Sequence, residues 1–429
     1  MSAERIGGGG VANPDGKLGA MSVFALAAGG MVGGGIYVAL GVVVQASAQW
    51  AWLSFLIAGI VAVTSAFSYA RLSVLFGKSG GAFEFLEEMK HSGLAGTLSW
   101  MLLAGYVLTI ALYGYAFGEY VANAFGGGPW MKRGLSVGAM VGLTALNLGG
   151  LGKMTMIEIT IVCANLLALM ALAVFGLMQW DPDMMTRGIE AKPVSATLVG
   201  AAAIFVSYEG FQLLTYEYDQ IRKADTRFVP LLTGSAIVVV VIYIAVALGA
   251  VMLIGADGAI NEKSVALAVA AQKAWGVMGL AVMTLAAAFA TSAAINSTLY
   301  SSARLAARVA EEKELPSFFS KTNKQDAPYT AILTFGAAAG LLSVTGSLSQ
   351  LVEAASLVFL MTFLIVNVIC LRRVAAWRIV PATGVILGGI LGVVLVWRLA
   401  QNAPISLSVV VAYAFGAFFL RPVILKKFL

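Results

Sequence analysis

The chain has 429 residues, 60% of them apolar and 11% charged, with a mean hydropathy of +0.90. Soluble domains carry about 25% charged residues, so this is a polytopic membrane protein. A net charge of +6 is too small to point to nucleic acid. Cys163 and Cys370 both lie in apolar runs, which argues against a disulfide framework. No His, Cys and carboxylate cluster has metal-ligand spacing, and no nucleophile–base pair or phosphate loop stands out. An enzyme, a resident metal and a cofactor are therefore not expected.

The segment 1–16 is polar and glycine-rich and reads as a cytoplasmic tail, not a signal peptide. Twelve apolar runs follow: 18–44, 49–76, 93–125, 130–150, 154–179, 195–219, 229–254, 264–303, 328–346, 348–371, 379–399 and 403–420. About 20 residues cross a bilayer. The eighth run is too long for one crossing, so a surface segment near Asn261 to Ala274 should precede a crossing from about Trp275. Seven of the 27 Lys and Arg fall on one side: Lys132, Arg133, Arg187, Lys192, Lys263, Lys273 and Arg398. The rest lie on the other side or at its edge. The positive-inside rule then puts both termini in the cytoplasm, including the 421–429 tail, with the chain in the cell (inner) membrane.

The first run contains Ala28-Gly29-Gly30-Met31-Val32-Gly33-Gly34-Gly35-Ile36-Tyr37. Each glycine costs a helix interior roughly 1 kcal/mol relative to alanine. A broken helix in lipid survives only where it is buried in protein or lines a cavity. In a cavity, amides at the start of the second half-helix would hold an anion, and carbonyls ending the first would hold a cation. The alternative is that the glycines let two helices pack closely.

In the third run, Glu119 lies past the middle, toward the outside. It reads either as an interfacial carboxylate reaching water or as a cation or proton site. Glu158 reads as an edge residue pairing with Lys153 or a loop arginine, and His91 as a loop residue among charges. Tyr106, Tyr113 and Tyr208 read as packing residues or gates. The sixth run carries Ile204-Phe205-Val206-Ser207-Tyr208-Glu209-Gly210-Phe211, a second interruption. A carboxylate at bilayer depth costs at least about 2.5 kcal/mol, so Glu209 should face a cavity or a partner. In the eighth run, Thr291 and Ser292 are helix–helix hydrogen-bonding residues or sodium ligands.

Interruptions in the first and sixth runs suggest a repeat of five spans. Five is odd, so the copies insert with opposite topology, and the substrate site lies between the broken helices. The fold class expected is an all-α membrane protein of twelve transmembrane helices. Two inverted five-helix repeats, 17–179 and 195–372, are followed by two extra helices over 379–420, a packing or homodimer surface.

Three motifs resemble the amino acid–polyamine–organocation (APC) superfamily of permeases, with its five-plus-five, LeuT-like fold. Val32-Gly33-Gly34-Gly35-Ile36-Tyr37 is similar to its I-G-S-G-I-F. Tyr69-Ala70-Arg71-Leu72 followed by Gly77-Lys78-Ser79-Gly80-Gly81-Ala82-Phe83 is similar to its Y-A-E-L…P-x-S-G-G-x-Y. Ser302-Ala303-Arg304-Leu305, then Ala310-Glu311-Glu312-Lys313-Glu314-Leu315-Pro316 and Ala327-Pro328, resembles A-S-R…A-R-D-G-x-L-P and T-P-x-x-A. The resemblance implies that amides of Gly33, Gly34 and Gly35 take a substrate carboxylate. It implies that carbonyls of Ala28, Gly29 and Val206 take its ammonium, with Ser207, Tyr208, Glu209 and Gly210 completing the site. Two positions depart from the family. Gln212 stands where an acid is frequent, and Asn165 stands where many members carry a lysine in place of sodium.

The function expected is secondary transport of an amino acid or related small amine by alternating access. A potassium or polyamine transporter using Glu209 and Glu119 is one alternative, and a non-transporting amino acid sensor is another. A proton or sodium ion is the candidate coupling partner, with Glu209, Glu119, Asn165, Thr291 and Ser292 as candidate positions.

Overall fold

The computed structural model describes residues 17–89, 92–150, 155–421 and 425. The 1–16 tail, most of the 421–429 tail, His91, Lys153 and the Glu158 side chain lie outside the described residues. Among those described, the regular structure is helical, apart from one isolated bridge between Leu18 and Ile221.

The first apolar run forms two helices, α1 (Ala20–Met31) and α2 (Gly35–Ser47). The α1 ladder ends where the Val32 N–H bonds Ala28 O at 2.8 Å. The second and third runs form α3 (Ala51–Phe76) and α5 (Ser92–Ala124), with the short amphipathic α4 (Gly81–Glu88) between them. Helices α6 (Pro129–Leu148) and α7 (Thr155–Leu177) complete the first five runs.

The sixth run starts as α8 (Ala196–Ala203) and continues in 3-10 turns to Gln220, bent by 55°. Then come α9 (Ala224–Asn261), α10 (Ala266–Glu311), α11 (Tyr329–Thr345), α12 (Leu348–Arg373), α13 (Ile379–Asn402) and α14 (Pro404–Phe415). The α10 backbone breaks at Trp275 and Gly276, where the long eighth run was expected to turn from a surface segment into a crossing. A serine cap and its reciprocal glutamine, Ser347 and Gln350, start α12.

Seven of the described helices are long and apolar enough to cross a membrane, eight if the bent pair is one span. With the shorter apolar helices Ala20–Met31, Tyr329–Thr345 and Pro404–Leu420, the set is consistent with twelve crossings. The most extensive helix pairs are α3 with α9 and α5 with α10. These are the second run with the seventh and the third with the eighth, each span against its counterpart five places on. Two inverted repeats produce that pairing.

The two interrupted helices meet backbone to backbone. Gly210 has φ +126, a conformation that L side chains rarely adopt, and its Cα face lies on the Gly30 carbonyl. Leu18 N–H donates to Gln220 O at 2.8 Å and Arg222 N–H to Leu18 O at 3.0 Å, so the start of the first run is tied to the end of the sixth. A methyl group at Gly210 would meet both the dihedral penalty and the Gly30 backbone. Gly210→Ala should therefore lower stability by at least about 1–3 kcal/mol in detergent melts. Gly234→Ala, in α9 with open space around it, should lose nothing. Equal melting of the two variants would refute the contact.

Candidate functional site

The unwound segment Val32-Gly33-Gly34 leaves backbone groups that water cannot reach, and side chains from neighbouring helices satisfy carbonyls in it and beside it. Asn165 on α7 donates its amide to Val32 O at 3.1 Å. Its side-chain oxygen accepts from the Tyr37 hydroxyl of α2. Tyr120 of α5 donates to Tyr37 O at 2.8 Å and packs edge-on against its ring. Tyr243 of α9 donates between Met31 O at 2.7 Å and Ser207 O at 3.0 Å, bridging the two breaks. One residue thus joins the end of α1 to the sixth run.

In the second break, the Ser356 hydroxyl of α12 donates to Ala203 O at 2.8 Å and accepts from Val206 N–H at 3.0 Å. Glu209 follows in extended conformation, 1% exposed. Its carboxylate accepts from the Gln212 amide at 2.6 Å and from the Tyr113 hydroxyl at 3.5 Å. Gln212 in turn accepts from Gly210 N–H at 2.9 Å. No ion pair engages Glu209 among the described residues. Tyr113 has a second contact: its ring covers Gly34, where any side chain would strike it. It therefore spans from the glycine break to the carboxylate. Gly33 and Gly35 are crowded by Ala294 and Ser207, so close packing and an unwound, amide-bearing segment coexist at the same glycines.

The expected acceptors are partly engaged. Ala28 O takes the Val32 N–H, and Val206 O takes the Glu209 N–H at 3.0 Å. Each carbonyl keeps a second lone pair. Gly29 lies against Val162 of α7. Ser207 donates weakly to Gly35 O at 3.4 Å, and Tyr208 donates to Phe55 O at 2.8 Å, a packing arrangement. The sequence singled out Gln212 only as a departure, and it missed Tyr243, Tyr120 and Ser356. Lone hydroxyls in apolar runs carry no local signal of their distant acceptors.

The other coupling candidates fall in different places. Thr291 donates to Ala287 O of its own helix at 2.7 Å, and Ser292 is half-buried beside it. Glu119 is held apart from the breaks. Its carboxylate accepts from Lys132 at 2.8 Å and Ser264 at 2.7 Å and is buried, so it is held by protein partners and does not reach water as one of its two readings had it.

Both ends of the bundle are tied. At the Glu119 end, Gln49 and Trp50 each donate to Lys192 O at 2.9 Å, and the Lys192 ammonium caps the last α2 carbonyls, Gln45 and Ala46. Burial, with the nearby Arg398 charge, pulls the Lys192 ammonium down from its ordinary range. At the other end, Arg308 of α10 bonds Glu84 of α4 at 2.6 Å and Ser79 O at 2.6 Å. The Tyr106 and Tyr216 hydroxyls meet at 2.7 Å.

The chain matches the family described as amino acid permease over residues 18–420, and it belongs to that family. It is 25% identical over 365 residues to the inner membrane transport protein YbaT of Escherichia coli (strain K12), covering 84% of each chain. It is 24% identical over 312 residues to the serine/threonine exchanger SteT of Bacillus subtilis (strain 168), covering 70% of this chain and 69% of that one. Its structure is similar to MhsT, solved in complex with L-phenylalanine, with a TM-score of 0.62 at 16% identity over 92% of this chain and 98% of that one. That likeness gives the fold, the LeuT fold. The chain is a multi-pass membrane transporter with a small-molecule substrate, not an enzyme.

Asn165→Leu keeps the size of the side chain and strands two buried groups, Val32 O and the Tyr37 hydroxyl. It should cost at least about 1 kcal/mol of stability, read as a lower melting temperature of the detergent-solubilised protein. An unchanged melting temperature would contradict the brace.

Proposed function

We propose that this member of the amino acid permease family carries an amino acid or related small amine by alternating access between the two helix breaks. One observation carries the reading. Tyr113 packs its ring over Gly34, at the start of α2, and donates its hydroxyl to the Glu209 carboxylate, so one tyrosine touches both breaks. The first amides of a helix have no intrahelical acceptor and favour an anion, so Gly33, Gly34 and Gly35 are assigned the substrate carboxylate. Carbonyls of Ala28, Gly29 and Val206 are assigned its ammonium. The names of SteT, an exchanger of serine and threonine, and of YbaT, an inner membrane transport protein, support the substrate class and the membrane. The distribution of Lys and Arg supports cytoplasmic termini, with the Lys192 end outside.

Coupling is assigned to exchange or to a proton on Glu209 ahead of sodium. Asn165 cannot titrate, and its amide already supplies the donor at Val32 O. A second reading, a polyamine or potassium cargo, is favoured by the neutral donors around Glu209.

Gly34→Leu should bind no ligand, because its side chain enters the Tyr113 ring position; unchanged affinity in a thermal-shift screen would move the site elsewhere. Glu209→Gln should flatten the pH dependence of uptake into liposomes, or select against cationic cargo. Uptake driven by sodium alone, and lost in Ser292→Ala, would reverse the coupling assignment. Spermidine or potassium outcompeting every amino acid would establish the second reading.

A further inference from the structure

At the Lys192 end lies a polar cavity of about 460 Å³ that is separate from the helix breaks. It is lined by Gln45 at the end of α2, Lys263 in the α9–α10 turn, Ser347 and Glu353 at the start of α12, and Arg398 and Asn402 at the end of α13. Two cations and one carboxylate face it. The carboxylate, Glu353, is 4% exposed and accepts from Arg398 Nε at 2.9 Å. A buried acid that grips the guanidinium by Nε leaves the two terminal nitrogens to fork onto an incoming anion. No ion pair engages Lys263 among the described residues. Its neighbour Glu262 does not line the cavity, and Glu119 nearby is held by Lys132 and Ser264. Lys192 adds positive potential at the edge of the cavity, since its ammonium bonds the carbonyl of the lining residue Gln45.

The place of Lys263 is fixed by α2. A Cβ on Gly41 would lie 2.5 Å from the Lys263 Cα, so the turn rests directly on the second half of the first broken span. We infer that this cavity is a docking site for the carboxylate of a small organic acid, with Arg398 and Lys263 as its ligands and the amino acid cargo as its occupant. Its role as a staging site rests on the transport reading; carboxylate binding does not.

The test uses the full chain carrying Gly34→Leu, which removes the central site, with acetate as the probe and thermal unfolding as the readout. Acetate should raise the melting temperature saturably, and chloride at equal ionic strength should not. Lys263→Gln should raise the acetate midpoint at least tenfold. The pair Glu353→Gln with Arg398→Gln, made together so that no buried charge is stranded, should abolish the response. An equal response to chloride, or an acetate midpoint unchanged in both variants, overturns the inference. If Gly34→Leu does not fold, the same titration of the otherwise unaltered chain against Lys263→Gln decides, because Lys263 lies outside the central site. Absent amino acid uptake with an intact acetate response would sink the transport reading alone. Intact uptake with no acetate response would sink this inference alone.

Discussion

A helix cannot be broken inside a bilayer unless something replaces the water that would satisfy its freed amides and carbonyls. This chain breaks two helices and brings the breaks together at Gly30 and Gly210. Three neighbouring helices each supply a polar side chain to the freed groups: Asn165 from α7, Tyr243 from α9 and Ser356 from α12. Those three contacts set where the helices can stand. The same breaks leave the amides that start α2 at mid-depth without an intrahelical acceptor, and the proposed function assigns them the substrate carboxylate. On that proposal the constraint and the function share one set of backbone groups.

The ties at the two ends differ in chemistry. Lys192 binds α2 through backbone carbonyls, so the second half of the first span is held by the loop before α8. At the other end, Arg308 reaches α4 and the Tyr106–Tyr216 pair spans α5 and the sixth run. The alternating access proposed for this chain requires that the two sets open in turn. Each is a handful of hydrogen bonds, small enough to be offset by the binding of one cargo molecule.

Much of the fold was legible in the sequence because the lipid constraint writes itself into local composition. Five glycines within a crossing and a lone Glu209 beside Gly210 marked both breaks, and the overlong eighth run marked the turn at Trp275. The braces were not legible. Tyr243 and Met31 are 212 positions apart, and nothing near either residue signals the other. Glu119 shows the limit from the other side. An acid in an apolar run reads either as an interfacial carboxylate reaching water or as a cation or proton site, and nothing local shows that the short α5–α6 turn brings Lys132 onto it. At Gly34 close packing and a helix break occur together, since the residue is packed under Tyr113 and also caps the start of a helix.

The central claim is that backbone amides at the start of α2 hold a carboxylate. Equilibrium binding of one amino acid and of its methyl ester to the purified protein tests it most directly. In mildly acidic buffer the ester keeps the ammonium and side chain; it loses the negative charge and gains one methyl group. The account predicts that the ester binds more than tenfold more weakly, a difference above about 1.4 kcal/mol. An ester that binds as tightly as the free acid would contradict it.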